Sequence, residues 1–483
     1  MINKIYKILN RDQKNKIYIL FLISLPLILI ETISIGSLPV YILTIVNPSS
    51  IIDFFHNDTL TNFLNSMSIE QRSFYGLILI IIIFFFKGIY NLIFNFYELN
   101  TIRKINLEHA NKLYSHYLKR EILFFSKNNP AQLIQNMDDI KRSTSVIFSV
   151  LNIIKELLII LMIFMMLIFV NTKIILISMA IFILPIFLFL RFFKKSLSVR
   201  GEIAKKYRIQ RLKNLQEGFS LIKFIKIIKG EEFALNTYAQ NNYRAIYQET
   251  MLAFISRLPR IILETFSVLA ISCIVFFLFK INLNFESILP TITLLVVGLI
   301  RFIPSIGSIL VSFNQYKYHQ VSLNNIYKIF QELNKNKSKL KNVVETNKKD
   351  IIFKNIIELK DVSFSYEKSN EKILKNININ IRKNQKIGIT GPSGSGKSTL
   401  ISICLGLVEP DSGQVLCDGK NIFENLGSWH KRIGYVPQSV HLLDDSIKNN
   451  ICYGTGEKKI NKDNLDKAIS ISEIKDFIDS QPE

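Results

Sequence analysis

Cysteine is scarce in this chain: four in 483 residues, Cys273, Cys404, Cys417 and Cys452, with no C-x-x-C spacing among them. That distribution excludes a zinc cluster and a disulfide framework and leaves incidental thiols in a reducing compartment. Glycine and proline are sparse as well, 19 and 12, which excludes collagen-like and linker-like chains. There is one Trp against 36 Phe. Acid is the scarcer charge: 38 Asp+Glu face 60 Lys+Arg, a net +22. Charged residues are only 20% of the whole, which excludes disorder in a chain whose apolar runs are this long.

What is abundant is apolar sequence. Hydrophobic residues make up 49% and the mean hydropathy is +0.25; soluble chains of this length rarely average a positive value, so the solvent to consider is a bilayer. Crossing an apolar core of about 30 Å takes about 20 helical residues. Six stretches reach that length, about 17–46, 75–97, 144–170, 173–193, 250–279 and 285–312. The first is too long for the apolar core of a signal peptide and reads as a spanning helix. The basic residues alternate between connections: five in 1–16, eight in 98–142 and thirteen in 191–244, against Arg72, Lys173 and Lys280 alone in the others. By the positive-inside rule both chain ends are expected in the cytoplasm. Topology thus accounts for the net charge, and no nucleic-acid partner is expected.

The two long basic connections keep helical composition at Tyr97–Lys119 and Ile203–Gly218, which predicts cytoplasmic extensions of the spanning helices rather than loops. Each contains an apolar turn, Ile122-Leu123-Phe124-Phe125 and Leu221-Ile222-Lys223-Phe224-Ile225. Exposed, these would be unfavourable; either a partner covers them or neighbouring extensions do. On the outer side, 51–67 carries apolar residues at spacings that suit either an amphipathic helix on the membrane surface or a plain loop.

Composition changes near residue 313, and Gln331–Asp350, rich in Lys and Asn, reads as a solvated linker. The expected division is a membrane domain at 1–320, a linker at 321–355 and a soluble domain at 356–483. Short β-type runs follow at Ile357–Tyr366, Ile373–Ile381 and Lys386–Thr390. The third feeds into Gly391-Pro392-Ser393-Gly394-Ser395-Gly396-Lys397-Ser398-Thr399, which is G-x-x-x-x-G-K-[ST] between a strand and the apolar helix Leu400–Leu407. The chemistry needs these types: glycines let consecutive backbone N–H groups approach phosphate oxygens, and the helix N-terminus adds positive potential. Lys397 supplies a mobile charge to the β- and γ-phosphates, Ser398 a hydroxyl for Mg²⁺, and Thr399 a donor near the α-phosphate. ATP with Mg²⁺ is the expected ligand.

Two more positions narrow the family. Tyr366 precedes Gly391 by 25 residues, and Gln438 ends the run Ile433-Gly434-Tyr435-Val436-Pro437, 39 residues past Thr399. Here the soluble part resembles the ATPase domain of ABC transporters. The resemblance implies that Tyr366 stacks on adenine and that Gln438 reaches Mg²⁺ and the attacking water, so that Lys397 and Gln438 carry the catalysis. With six spanning helices fused ahead of it, nearly the whole chain is similar to a type IV ABC exporter half-transporter. The implied fold is an all-α six-helix transmembrane domain with long cytoplasmic extensions, joined to an incomplete α/β P-loop ATPase domain. The two apolar turns would be coupling helices covered by the ATPase, and a second copy would complete each nucleotide site.

One departure stands out. The L-S-G-G-Q signature, the acidic strand with its catalytic Glu and the switch His of that family occur nowhere in the chain, and Tyr453-Gly454-Thr455-Gly456 is no signature. The expectation is an N-terminal portion of a longer protein, with a natural truncation as the alternative, and poor hydrolysis by this chain alone.

Cations inside spanning stretches are costly and mark function unless they snorkel. At about 1.5 Å of rise per residue, Arg260 lies about 27 Å from the outer end of its helix, Arg257 about 31 Å, Arg301 about 21 Å and Lys87 about 18 Å. Arg257, Arg260 and Glu264 share one helical face, and Arg260 and Glu264 could simply neutralise each other. Lys87, Arg257, Arg260 and Arg301 together would suit a phosphate or pyrophosphate headgroup. The pattern looks most like flippases for lipid-linked oligosaccharides, with lipid A flippases close behind. Peptide and drug exporters share the fold, although no N-terminal Cys/His pair marks a peptidase domain. A reading of another class is a non-hydrolysing, nucleotide-binding membrane scaffold. The expected location is the bacterial inner membrane, multi-pass, with the N-terminus and the ATP-binding domain in the cytoplasm.

Overall fold

The computed structural model describes residues 2–46, 66–168, 172–280, 285–341, 350–366, 372–440, 442–455 and 460–481. Some side chains within its helices, including those of 277–301 and 335–341, lie outside that description, as does most of the 51–67 segment. The chain forms two compact units, Met1–Thr346 and Asn347–Glu483.

The first unit is helical throughout: α1 (Ile2–Ile8), α2 (Arg11–Val46), α3 (Ile69–Leu118), α4 (Ile122–Lys127), α5 (Pro130–Ile168), α6 (Thr172–Ser220), α7 (Ile222–Ile227), α8 (Glu231–Lys280) and α9 (Phe285–Lys341). As far as its residues are described, each of the six apolar stretches falls on one long helix. Helix α3, with 50 residues, is about 75 Å long, well over twice the apolar thickness of a bilayer. The basic connections are therefore continuations of the spanning helices. Stretches within Arg11–Leu38, Ile69–Leu118 and Pro130–Met165 are long and apolar enough to cross a membrane among the described residues.

Local signals set the helix starts. Ser68 and Gln71 form a reciprocal capping box at the head of α3. Pro130 opens α5 at the position where its missing N–H costs nothing, and the Asn129 side chain accepts from the Ala131 N–H at 2.8 Å. The apolar turns expected at 122–125 and 221–225 are the short helices α4 and α7. Phe124 packs onto the helical core and stacks on Tyr117 at 5.9 Å, whereas Phe125, Phe224 and Ile227 remain exposed.

Two apolar clusters hold the bundle. One joins Ile28 and Ile35 of α2, Ile159 and Ile163 of α5, Leu197 of α6, Leu263 of α8 and Leu310 of α9. The other joins Ile5 and Ile8 of α1, Phe94 and Leu113 of α3, Ile140 of α5 and Leu323 and Phe330 of α9. Helix α5 runs along α9, and α6 along α8. These pairs meet where Gly201 of α6 lies against the backbone of α9: a Cβ there would stand 2.1 Å from the Tyr318 carbonyl oxygen. Nearby, Asp139 of α5 is wholly buried. It accepts from Lys205 of α6 at 2.8 Å and from Ser322 and Asn325 of α9 at 2.8 and 3.2 Å.

The segment read as a solvated linker from Gln331 is instead helical through Lys341. Phe330 and Leu333 explain this, because both are buried in the cluster built by α1 and α3.

The second unit contains β1 (Ile356–Phe364), β2 (Leu374–Arg382), α10 (Lys397–Cys404), β3 (Ser412–Cys417), β4 (Lys420–Asn421) and the short helices α11 (Leu426–His430), α12 (Ile447–Ile451), α13 (Lys462–Ile471) and α14 (Lys475–Asp479). The sheet is antiparallel in the order β2-β1-β3-β4. Leu359 of β1 faces Val415 of β3 in register, both buried. Two segments expected as strands, Lys386–Thr390 and Ile433–Pro437, join no ladder among the described residues. Ile387 and Val436 are exposed, and an extended segment without a hydrogen-bonded neighbour is not held as a strand.

Candidate nucleotide site and membrane cavity

The glycine-rich loop leads from the extended segment Lys386–Thr390 into α10. Gly396 is the N-cap of that helix with φ at +90°, a left-handed conformation that a side chain would strain, and a Cβ would meet Ile373 Cγ2 at 2.9 Å. The free N–H groups at the start of α10 consequently face the loop, where an anion is favoured. Lys397 Nζ donates to the carbonyl oxygens of Gly391 at 2.9 Å and Pro392 at 2.8 Å. Its charge is thus held over the loop by weak neutral acceptors that a phosphate would displace. Ser398 is exposed beside it and Thr399 is buried. Tyr366, at the end of β1, comes to 3.3 Å from the Thr399 hydroxyl and packs edge-on against Phe364. Tyr366 thus lies against the helix that follows the loop. Gln438 is exposed, and no hydrogen bond joins it to the loop among the described residues.

The far end of α10 is anchored by side chains that no motif announced. Trp429 Nε1 donates to the Cys404 carbonyl at 3.0 Å, and His430 Nε2 lies 2.9 Å from the Leu405 carbonyl. These groups engage carbonyls at the helix C-terminus, and Trp429, the one tryptophan, is buried. Its uniqueness in the composition was the available signal. Burial pushes the Cys404 thiol up to about 11, which disfavours its thiolate. Among the described residues no group of three His, Cys, Asp or Glu could hold a metal ion. A cation at this site would rely on Ser398 and phosphate oxygens.

In the membrane unit, Arg257, Arg260 and Glu264 of α8 line one cavity of about 880 Å³ together with Ser308 and Gly307 of α9. Arg260 Nε donates to Glu264 at 2.7 Å, so the two do pair, but inside the cavity. Arg257 makes no ion pair or hydrogen bond among the described residues, which leaves the lining one positive charge in excess. Lys87 does not line this cavity. Contrary to its apparent lack of a counter-charge, its ammonium is 3.6 Å from Glu31 and 3.0 Å from the Ser34 hydroxyl, both on α2. The Arg301 side chain lies outside the described residues. A second, apolar cavity of about 300 Å³ lies on the other face of α9, against α5 and α6, lined by Leu157, Ile186, Phe302 and Phe313.

The ABC transporter transmembrane region family matches residues 27–323, more than half of the chain, and the ABC transporter family matches residues 374–483. The chain belongs to the ABC transporters. Its order, membrane domain ahead of ATP-binding domain, is that of a type IV half-transporter. Over 128 residues it is 41% identical to ABC transporter B family member 26, chloroplastic, of Arabidopsis thaliana, covering 26% of this chain and 18% of the relative. Over 141 residues it is 35% identical to an ATP-dependent lipid A-core flippase of Idiomarina loihiensis, covering 29% and 23%. A protein of that name from Escherichia coli K12 is 33% identical over 123 residues, 25% and 21%. The match to these curated relatives thus spans less than a quarter of their length. Among solved structures, a bacterial Atm1-family ABC exporter with ATP bound superposes with a TM-score of 0.70 at 15% identity, covering 95% of this chain and 77% of that one. That likeness concerns the fold alone. In this ABC transporter the glycine-rich loop and the cavity between α8 and α9 fall within the two matched regions, whereas Tyr366 precedes the second.

Proposed function

We propose that this chain belongs to an ATP-driven exporter that flips an amphipathic, anionic lipid across the bacterial inner membrane, a lipid-linked oligosaccharide being the substrate class favoured. The carrying observation is the cavity between α8 and α9, which Arg257 and Arg260 both line and where Glu264 pairs with Arg260. Two guanidiniums separated by one helical turn suit the oxygens of a phosphate or pyrophosphate, which accept forked hydrogen bonds. An apolar tail would extend along the bilayer. Relatives named lipid A-core flippases support a lipid as cargo. Arg301 belongs to this reading through its depth in sequence alone.

Energy would come from ATP held at Gly391–Thr399, with Lys397 on the β- and γ-phosphates, Tyr366 against the base, and Ser398 with Gln438 on Mg²⁺. One chain carries one membrane unit and one P-loop, so the functional unit is read as a homodimer, with the P-loop unit and the N-terminus in the cytoplasm.

The test is flipping of a fluorescent polyprenyl-pyrophosphate glycan in vesicles by the complete transporter. Loss of one charge-assisted contact worth about 1.5–3 kcal/mol weakens capture about ten-fold or more, so Arg257→Ala/Arg260→Ala should slow flipping at least that far with basal ATPase activity kept. A Lys replacement should restore it only in part, because it keeps the charge and loses the fork. Unchanged flipping in the double variant rejects the anionic substrate and favours peptide or drug export. Absence of ATP turnover in the complete protein would favour the scaffold.

A further inference from the structure

The apolar cavity of about 300 Å³ is separated by α9 from the one that Arg257 and Arg260 line. Ile153 and Leu157 of α5, Ile186 and Leu190 of α6, and Phe302 and Phe313 of α9 form its walls, and every other lining residue is Ile or Leu. Such walls offer water no hydrogen bond and favour hydrocarbon. From Phe302 to Phe313 the slot follows α9 for about 16 Å, half of the apolar thickness of about 30 Å and hence the depth of one leaflet. Leu157 and Ile183 line it and are exposed, so the slot opens on the side of the bundle.

One end of this slot is basic. Lys194 follows Leu190 by four residues and Lys317 follows Phe313 by four, so each shares a helical face with a wall residue. The Lys317 ammonium stands 5.7 Å from the centre of the Phe313 ring. Burial and then Lys194 hold that ammonium below its ordinary value. Arg191 and Lys195, beside Lys194, are exposed as well. Acids are remote or engaged. On α6 none precedes Glu202, about two turns past Lys194, and on α9 none lies from Ser287 to Gln331. On α5, Asp138 precedes Ile153 by about four turns, Asp139 is held by Lys205, and Glu156 lies 4.0 Å from Lys155. On α8, Glu249 pairs with Arg208 and Glu264 with Arg260; on α2, Glu31 pairs with Lys87.

We propose that the slot holds one acyl chain of an anionic membrane phospholipid whose phosphate rests on Lys194 and Lys317, a resident lipid distinct from the cargo. Both lysines stand just past the apolar stretches that end at 193 and 312, at the edge read as cytoplasmic, where a lipid phosphate lies. The slot then takes the chain below it to the depth of its own leaflet. Other occupants answer only part of this. A neutral lipid fills the slot and leaves the lysines unmet, and a free phosphate does the reverse. A helix of a second copy, about 10–12 Å across, is too wide for about 300 Å³ spread along 16 Å.

The test is binding of phosphatidylglycerol, and of phosphatidylcholine with the same chains, to the full chain in micelles, titrated by native mass spectrometry. A lysine beside an anionic lipid is worth about 1 kcal/mol, about a five-fold change in binding. Lys194→Gln/Lys317→Gln should therefore weaken phosphatidylglycerol about twenty-five-fold and leave phosphatidylcholine unchanged. Leu157→Trp, at an exposed wall, narrows the slot and should weaken both lipids. A phosphatidylglycerol with a photoreactive diazirine on its acyl chain should label the slot-forming segments of α5, α6 and α9. Equal binding of the two lipids would overturn the proposal, since the lysines would then select nothing. A preference for phosphatidylglycerol untouched by the lysine pair would overturn it by placing the lipid elsewhere, and label confined to other helices would do the same. Arg257→Ala/Arg260→Ala should leave phosphatidylglycerol binding as it is; its loss there would assign the lipid to the cargo cavity and overturn the separate site. Because no flipping is measured, the outcome is independent of the cargo proposed above.

Discussion

Asp139 ties α5 to both α6 and α9 through its carboxylate, and its removal can be worked through. Its carboxylate is wholly buried and meets Lys205 Nζ at 2.8 Å, the Ser322 hydroxyl at 2.8 Å and the Asn325 amide at 3.2 Å. Lys205 is 15% exposed, so water cannot replace the lost partner fully. Asp139→Ala leaves that ammonium uncompensated, and breaking a buried pair from one side costs about 3–5 kcal/mol. Lys205→Ala leaves a carboxylate that still accepts from Ser322 and Asn325, so its cost should be smaller, about 1.5–3 kcal/mol, the value of one hydrogen bond to a charged group. The double variant should fall short of the sum by about 1–3 kcal/mol, the coupling between contacting residues. Urea unfolding of the full chain in detergent, read by far-UV circular dichroism, measures all three. A cost below about 1 kcal/mol for Asp139→Ala is what a solvent-screened surface pair would give, and it would refute the reading of Asp139 as the hub joining α5, α6 and α9.

Gly201→Ala would place a Cβ 2.1 Å from the Tyr318 carbonyl oxygen, and since a backbone cannot yield as a side chain does, a loss of about 1–3 kcal/mol or more is expected in the same unfolding assay; an unchanged midpoint would show that α6 and α9 are not in close contact. Lys397→Ala in the complete transporter should weaken nucleotide binding at least ten-fold and stop ATP turnover with the helical signal intact, and turnover at the wild-type rate would remove the P-loop assignment. Acid should destabilise the helical unit: burial and then Lys112 push His109 down to about 4, and burial with Arg142 and Arg208 pushes His319 down to about 3. Both are neutral when folded and take up protons more readily when unfolded. Their contribution is therefore complete above about pH 6.5 and is lost as pH falls toward 4, with His109 alone accounting for about 3 kcal/mol. His109→Gln should flatten that part of the pH–stability curve, and an unaltered curve would contradict the burial of a neutral imidazole there.

The sequence by itself determined whatever depends on a local or periodic property. Six apolar stretches of spanning length are read from one-dimensional hydropathy, because a bilayer leaves a chain little choice but helix. The extensions follow from the helical composition of Tyr97–Lys119 and Ile203–Gly218, and α3 and α6 run through them. The glycine-rich loop was legible because its pattern sits in nine consecutive residues, whereas the contact of Tyr366 with Thr399 appears only in the folded chain.

Tertiary structure alone decided what depends on which helix faces which. Lys87 looked unpaired along its own helix, yet its partner Glu31 is 56 residues away on α2. Arg257 and Arg260 gained a shared cavity only through the approach of α9. Phe330 and Leu333 turned an apparent linker into helix because α1 and α3 supply surface to bury them. Asp139 and Lys205 lie 66 residues apart, with no spacing rule to join them, and they meet because Gly201 lets α6 lie against the backbone of α9. Periodicity specifies that a face must be buried; the partner that buries it is selected by packing among distant helices, and that information is distributed over the whole bundle.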